Sequence, residues 1–230
     1  MAVFMFGRGA SVAPLDPVFS ANSWERIIKT CQTNEVPDTW EIGDYKNMTI
    51  NGEEYLVAII GKNHDVYSDG TGTAPLTLQL VNCYGTSYPL GSTQSNRIGW
   101  RDSDMRITHL PTVMGLMPSE VQAAVREVNK KTSAGGRSST IITTADKLFL
   151  LAEVEVLGGT TYSANGEGSR YAYYSEAVRR IKNNPDNPTS WWLRSPNDEN
   201  DLTFCEIRSE GNGATSYPNN ASGVSFAFCF

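Results

Sequence analysis

Few residues in this chain are of a type and spacing that could do chemistry. His64 and His109 are the only histidines, and each could act as a base near neutral pH. Asn63–His64–Asp65 sets an imidazole beside a carboxylate, as metal or acid–base chemistry would want. It follows a strand end, where Asn and Asp favour turns, so a structural or surface role is expected for His64. His109 falls in an apolar helical stretch and reads as a packed or capping residue. Asp198, Glu199 and Asp201 gather three carboxylates, with Asn197 and Asn200 as further oxygen donors. Calcium prefers such oxygens, but the spacing departs from the EF-hand loop and lacks its central Gly. A solvated acidic loop is the expectation, with no metal. Gly135–Gly136–Arg137–Ser138 lacks the Lys that a phosphate-binding loop needs, and no G-x-S-x-G elbow occurs. The reading is a protein that is not an enzyme and needs no cofactor.

Four cysteines, Cys31, Cys83, Cys205 and Cys229, are too scattered for a zinc site built on paired spacing. Buried free thiols are expected, with Cys205–Cys229 the pair to bridge if their strands run side by side. Net charge is −6, which argues against a phosphate-driven nucleic-acid binder and gives no support to binding an anionic membrane surface. The N-terminal run MAVFMF has no basic segment ahead of it and is too short to span a bilayer. Neither a signal peptide nor a membrane insertion is expected. Such a chain is made in the cytoplasm and stays there or leaves by another route, such as assembly into a particle.

The elements that would position these residues follow from period and punctuation. Residues 1–20 read as an arm or partner-contacting segment, and 21–230 as a single domain. Ser23 caps a helix carrying Trp24, Ile27, Ile28 and Cys31. Lys46–Ile50 and Glu53–Gly61 form a hairpin across Asn51–Gly52, and Pro75–Asn82 is a strand of period two. Gly85–Gly99 and Lys130–Thr140 read as loops. Ser103 opens a short helix ended by Pro111, and Pro118–Ser119–Glu120 opens another carrying Val121, Ala124, Val125 and Val128. Asp146–Leu151 is expected as a strand, Ala152–Leu157 as a helical turn closed by Gly158, and Ala172–Ile181 as a weak helix. Three strands close the chain: Ser190–Arg194, Leu202–Arg208 and Gly223–Phe228. The fold class is α+β, with antiparallel sheets and a few short helices.

Residues 190–230 mix two kinds of side chain. One set is bulky and fit for a rigid platform, including Trp191, Trp192, Phe204, Phe226 and Phe228, each large aromatic burying roughly 150–250 Å². Arg194 joins them, either stacked on an indole or bonded to a buried carboxylate through both ends of its guanidinium. The other set, including Asn197, Asn212, Ser216, Tyr217, Asn219 and Asn220, has the composition of a recognition surface.

Trp191–Trp192–Leu193–Arg194–Ser195–Pro196, then Phe204–Cys205 and Gly211, then Gly223–Val224–Ser225–Phe226–Ala227–Phe228, resembles the C-terminal module of phage and gut-bacterial proteins. That module has the C-type lectin fold in its formylglycine-generating-enzyme-like variant. It is also similar to the variable proteins of diversity-generating retroelements, in which adenine-directed mutagenesis rewrites selected codons near the C-terminus. Gly43–Asp65, Gly99–Leu110 and Asp146–Leu151 share the likeness. The resemblance implies a ligand site displayed on a scaffold of Trp191, Trp192, Arg194, Phe204, Gly211, Gly223, Phe226 and Phe228. Its implied contact residues are Asn197, Asp198, Asn200, Asp201, Thr203, Glu206, Arg208, Glu210, Asn212, Ser216, Tyr217, Asn219 and Asn220. The calcium-binding Glu-Pro-Asn and Trp-Asn-Asp triplets are missing, so calcium-dependent glycan binding is not implied. No cysteine pair matches formylglycine-generating activity. The expected function is receptor binding at a phage tail or bacterial surface, toward a protein or glycan. A homo-oligomer or tail contact through the N-terminal arm is open to it. The alternative is a structural virion or surface-assembly subunit decorated by a lectin-like domain.

Overall fold

Local signals set the first elements of this computed structural model, which describes residues 14–230. Most of the expected N-terminal arm lies outside the described residues. Phe19, inside that span, is buried edge-on against Trp40, 5.2 Å between ring centroids. Ser23 accepts the Arg26 amide and opens α1 (Trp24–Gln32), whose Trp24, Ile27, Ile28 and Cys31 face the core. β1 (Tyr45–Ile50) and β2 (Glu53–Lys62) join through Asn51–Gly52, at φ of 52° and 84°. Both values are positive, as the tightest hairpin turns require.

The later strands are β3 (Leu76–Leu80), β4 (Tyr84–Tyr88), β5 (Val128–Gly135), β6 (Ser138–Asp146), β7 (Lys182–Asn183), β8 (Pro188–Thr189), β9 (Trp191–Pro196), β10 (Phe204–Ile207), β11 (Gly213–Ser216), β12 (Ser222–Val224) and β13 (Ala227–Cys229). Short helices α2 (Leu110–Met114), α3 (Ser119–Ala124) and α4 (Glu153–Leu157) connect them. One sheet runs β1-β2-β3-β13 and a second β11-β10-β9-β12-β4, with two-stranded ladders β5-β6 and β7-β8 beside them. Pairing is antiparallel except where β12 lies parallel to β9 at Gly223 and Trp191. A side chain on Gly223 would come within 2.7 Å of the Cys83 sulfur, so only hydrogen fits there. The architecture is α+β, with mostly antiparallel sheets and few short helices. A continuous hydrophobic core draws on residues from Phe19 to Phe230.

Several elements differ from the sequence-based expectation, each for a physical reason. β3 alternates Leu with Thr77 and Gln79, yet all five residues are buried. Thr77 donates to Asp65 Oδ2 at 2.5 Å, and Gln79 donates to the Ser225 carbonyl while accepting from Tyr174. Polar side chains tolerate burial when partnered in this way. Lys130–Thr140, expected as a loop, lies in the β5–β6 hairpin, and Val128 begins that hairpin rather than lining a helix. Tyr84–Tyr88 pairs with β12 instead of belonging wholly to a loop. Of Asp146–Leu151 only Asp146 is in a strand, as the last residue of β6: Leu148–Leu151 is buried, and within it Phe149 alone pairs, with Ala227. Pro111 does not end its helix. A π turn over Met105–His109 runs into α2, where Pro111 sits in the first turn and its missing N–H is not needed. Ala172–Ile181 holds two 3-10 turns rather than one helix. The strand expected over Leu202–Arg208 shortens to β10, and that over Gly223–Phe228 divides into β12 and β13, one in each large sheet.

All four cysteines are free and buried. Cys205 and Cys229 lie on strands of different sheets, so the conditional bridge between them has no side-by-side geometry. Burial pushes the Cys31 and Cys83 thiols up to about 12, far from the thiolate form that reacts. Among the described residues no helix is long and apolar enough to cross a membrane.

Candidate functional site

β9 carries both halves of the site. On one side its Arg194 enters a buried ionic network. The guanidinium is fully buried and grips Glu155 with two bonds, 2.6 Å and 2.9 Å, while donating to the carbonyls of Leu150 and Glu167. Of the two roles open to Arg194, the buried carboxylate bond is the one adopted. Glu155 also receives Lys130 at 2.9 Å, and Lys130 reaches Asp65 at 2.7 Å. Tyr171 donates to Asp65 at 2.8 Å. Burial alone would raise both carboxyls, but Lys130 brings Asp65 down to about 2, and Arg194 with Lys130 holds Glu155 below the usual range. Each charge is compensated by a neighbour, the condition under which burial of ions is tolerated.

Glu167 completes the network. It accepts the Ser133 amide at 2.8 Å and the Ser195 hydroxyl. Burial raises its carboxyl to about 7, only partly offset by those bonds and by Arg194. A cleft of about 650 Å³ opens over this floor, walled by His64, Asn129, Lys131, Thr143 and Ser169. The His64 ring stacks on Tyr171 at 4.0 Å. His109 is likewise packed, stacked on Tyr88 at 4.4 Å. Among the described residues no hydrogen bond or ion pair joins either imidazole to a carboxylate.

The residues named from sequence fall on β9 to β13 and on the loops between those strands. Trp191, Trp192, Arg194, Phe204, Gly211, Gly223, Phe226 and Phe228 are all buried. Their packing and hydrogen bonds hold neighbouring segments: Trp191 Nε1 donates to the Arg180 carbonyl and Trp192 Nε1 to the Tyr88 carbonyl, both at 2.9 Å. Hydrogen bonds join three loops of the five-stranded sheet to one another. The amides of Leu90 and Gly91 bond the Pro218 carbonyl, joining the loop after β4 to residues 217–221. Asn96 joins the same loop to residues 197–203. Fully buried, its amide donates to the carbonyls of Asn197, Asn200 and Thr203 at 2.8–2.9 Å, while its oxygen accepts from Gly136.

Within that frame the named residues divide. Asn197 Oδ1 accepts the Glu199 amide and Asn200 Oδ1 the amides of Leu202 and Thr203, so both side chains form Asx turns instead of facing a ligand. Thr203 donates its hydroxyl to Asn200, and Asp201 pairs with Arg97. Glu206 is buried beside Ser222, and burial raises its carboxyl. Asn197 is buried as well, so these two do not belong to an exposed face. Tyr217, Asn219 and Asn220 are exposed, with Ser216 half-buried beside them along the chain and Asp198 half-buried in the 197–203 loop. Asn220 is tethered to Ser216 by a 3.1 Å bond. Arg208, Glu210 and Asn212 are also exposed. They stand on the β10–β11 turn, roughly 10 Å away along the strands, so one compact patch does not contain them all.

Asn96 and the 89–97 loop were not visible from sequence. A lone Asn in a Ser/Thr/Gly-rich loop has no local mark of burial, and its partners lie about a hundred positions away. The Lys130–Glu155–Arg194 network was hidden the same way, since Lys130 sits in a polar stretch that reads as surface.

The model of a family described as a domain of unknown function, DUF6273, matches residues 77–230, more than half of the chain. No curated protein and no solved structure matches.

Proposed function

We propose that this chain, which belongs to the DUF6273 family, is a non-enzymatic ligand-binding protein. Its contact surface is the rim where loops 89–97, 197–203 and 217–221 meet. The observation that carries the reading is a division of labour: loop 89–97 fastens the rim's backbone, through Asn96 to residues 197–203 and through the Leu90 and Gly91 amides to Pro218, while Tyr217, Asn219, Asn220 and Leu202 are exposed. A fixed backbone bearing exposed Tyr and Asn binds with little ordering cost. The buried network argues in the same direction, because its charges compensate one another rather than waiting for a substrate.

The finer reading rests on the WWLRSP and GVSFAF motifs. It is a C-type lectin-like scaffold of the formylglycine-generating-enzyme type, a receptor-binding protein of a phage tail or bacterial surface, diversified by a retroelement. The ligand is a protein or glycan of a bacterial surface. The placement of the asparagines supports this reading: Asn212, Asn219 and Asn220 can change identity without losing a packing role.

Sequencing the locus across a population tests the diversification. Codons 212, 217, 219 and 220 should vary, with substitutions traceable to adenines of a template copy, while codons 96, 197 and 200 stay fixed. A uniform locus would remove the retroelement from the proposal. Binding is tested with immobilised bacterial cell-surface extract: the triple variant Tyr217→Ala, Asn219→Ala, Asn220→Ala should lose retention that the parent shows. Equal retention would displace the site from this rim.

A further inference from the structure

A second cleft opens beside the π turn, and it shares no lining residue with the one over the ionic network. It holds about 440 Å³ between the Met105–Met114 segment and the end of the β5–β6 hairpin, within the roughly 300–1,000 Å³ usual for small-molecule sites. Its lining is mostly apolar, from Ile107, Leu110, Pro111, Met114 and Leu148. Leu110 and Leu148 are buried, while Ile107 is 55% exposed and gives the cleft an accessible aliphatic wall. That wall is fixed before any ligand arrives. The π turn, a rare arrangement that recurs at functional sites, is pinned by the Met105 amide on the Leu90 carbonyl at 3.2 Å and the Ile107 amide on the Ser103 carbonyl at 3.0 Å. Arg106 ties the turn to the hairpin, donating from Nε to Asp146 at 2.5 Å and from Nη2 to the Ala145 carbonyl at 3.2 Å. Trp100 Nε1 holds Asp146 in turn, at 2.9 Å. A cavity preformed in this way spares a ligand the cost of ordering it.

Two charges of opposite sign complete the lining. Val128 and Asp146 are the last pair of the hairpin ladder, and Glu127 and Lys147 follow them by one residue on each strand, so the register sets the two side by side. Both line the cleft and both are exposed. Among the described residues neither side chain has a hydrogen-bond or ion-pair partner, and they are not bonded to each other. A free carboxylate and a free ammonium beside an apolar cavity complement a zwitterion that carries an apolar group. The ligand's ammonium meets Glu127 and its carboxylate meets Lys147, the charge-assisted bonds that are the strong ones among polar contacts. Its side chain fills the space against Ile107, Met114 and Leu148, where burial of apolar surface adds to the affinity.

We propose that this cleft binds a free α-amino acid with a large apolar side chain, aliphatic or aromatic. Glu127 and Lys147 read the two charges of its backbone, and the apolar lining selects the side chain. The site stands apart from the rim's exposed Tyr217, Asn219 and Asn220, none of which lines it.

The test follows the methyl signals of Ile107 and Met114 by NMR at neutral pH while L-leucine or L-phenylalanine is titrated into the whole chain. Phenylpropionate, which lacks the ammonium, phenylethylamine, which lacks the carboxylate, and glycine, which lacks the side chain, are the parallel arms. A saturable shift with leucine or phenylalanine is expected, and binding about tenfold weaker or more for each of the three incomplete compounds. Glu127→Gln should lose the preference for phenylalanine over phenylpropionate, and Lys147→Gln the preference over phenylethylamine. Both positions are exposed, so these variants keep the fold. The rim triple variant should bind phenylalanine as the parent does. The proposal is overturned by a shift that saturates with neither amino acid, or by parent binding of phenylpropionate or phenylethylamine as tight as that of phenylalanine. Unchanged affinity in both Glu127→Gln and Lys147→Gln would overturn it too, and would mean that the two charges serve only each other.

Discussion

The ionic network and the loop rim hang from the same strand, β9, and both are rich in charged and amide side chains. In the network, Asp65, Lys130, Glu155 and Arg194 point inward, and each is met by an opposite charge or a carbonyl. At the rim, Tyr217, Asn219 and Asn220 are exposed on a segment that the Leu90 and Gly91 amides hold at Pro218, while Asn96 holds residues 197–203. The residue types overlap, but what they do is decided by whether they are buried. Buried polar groups specify the shape, and exposed ones are free to meet something else.

Mutation should separate the two regions by size of effect. Arg194→Met leaves Glu155 with only half of its compensation and should cost about 3–5 kcal/mol, read as a lowered urea midpoint. Glu167 comes next, through pH. Its folded value near 7 lies above its ordinary 4.5, so the folded state holds the proton longer than the unfolded one. Stability is therefore full below about 4.5 and declines as pH rises toward 7, by on the order of 3 kcal/mol. Denaturation across that range should show the slope in the parent and lose it in Glu167→Gln. A flat parent profile would mean that Glu167 ionises freely. Asn96→Ala is smaller in stability, about 2 kcal/mol, yet should also weaken rim binding although Asn96 is itself buried. Unimpaired binding would show that the rim is not held from beneath. The rim triple variant should stay within about 0.5 kcal/mol of the parent; a larger loss would blur the contrast between the regions.

Whatever depends on neighbours in sequence was legible. The Ser23 cap, the Asn51–Gly52 turn, and Gly158 closing α4 in the left-handed conformation all rest on local rules. The aromatic platform was legible too, because nothing but a core accommodates so many large rings. Elements decided by distant partners were not. The β5–β6 hairpin is written in Thr, Ser and Lys, and reads as loop until Glu167, Arg194 and Asp65 supply its hydrogen bonds. Leu148–Leu151 has the composition of a strand but is nearly all surrounded by side chains, with Phe149 alone finding a ladder partner. Composition singled out Asn219 and Asn220, and both are exposed. Asn197 and Asn200, identical in type, turned out to be turn formers, a difference fixed by geometry alone.

The crossing of the chain from one sheet to the other between Val224 and Ala227 has a consequence for the order of events during synthesis. β4 enters its sheet only through β12, and β13 completes the other sheet against β3. Residues 222–229 leave the ribosome after every strand they must join. Neither sheet reaches its final strand order until that short segment emerges, so β4 waits through more than a hundred residues of translation for its partner. The non-local closure that results is the kind that slows folding, and it leaves strand edges uncovered while the chain is being made.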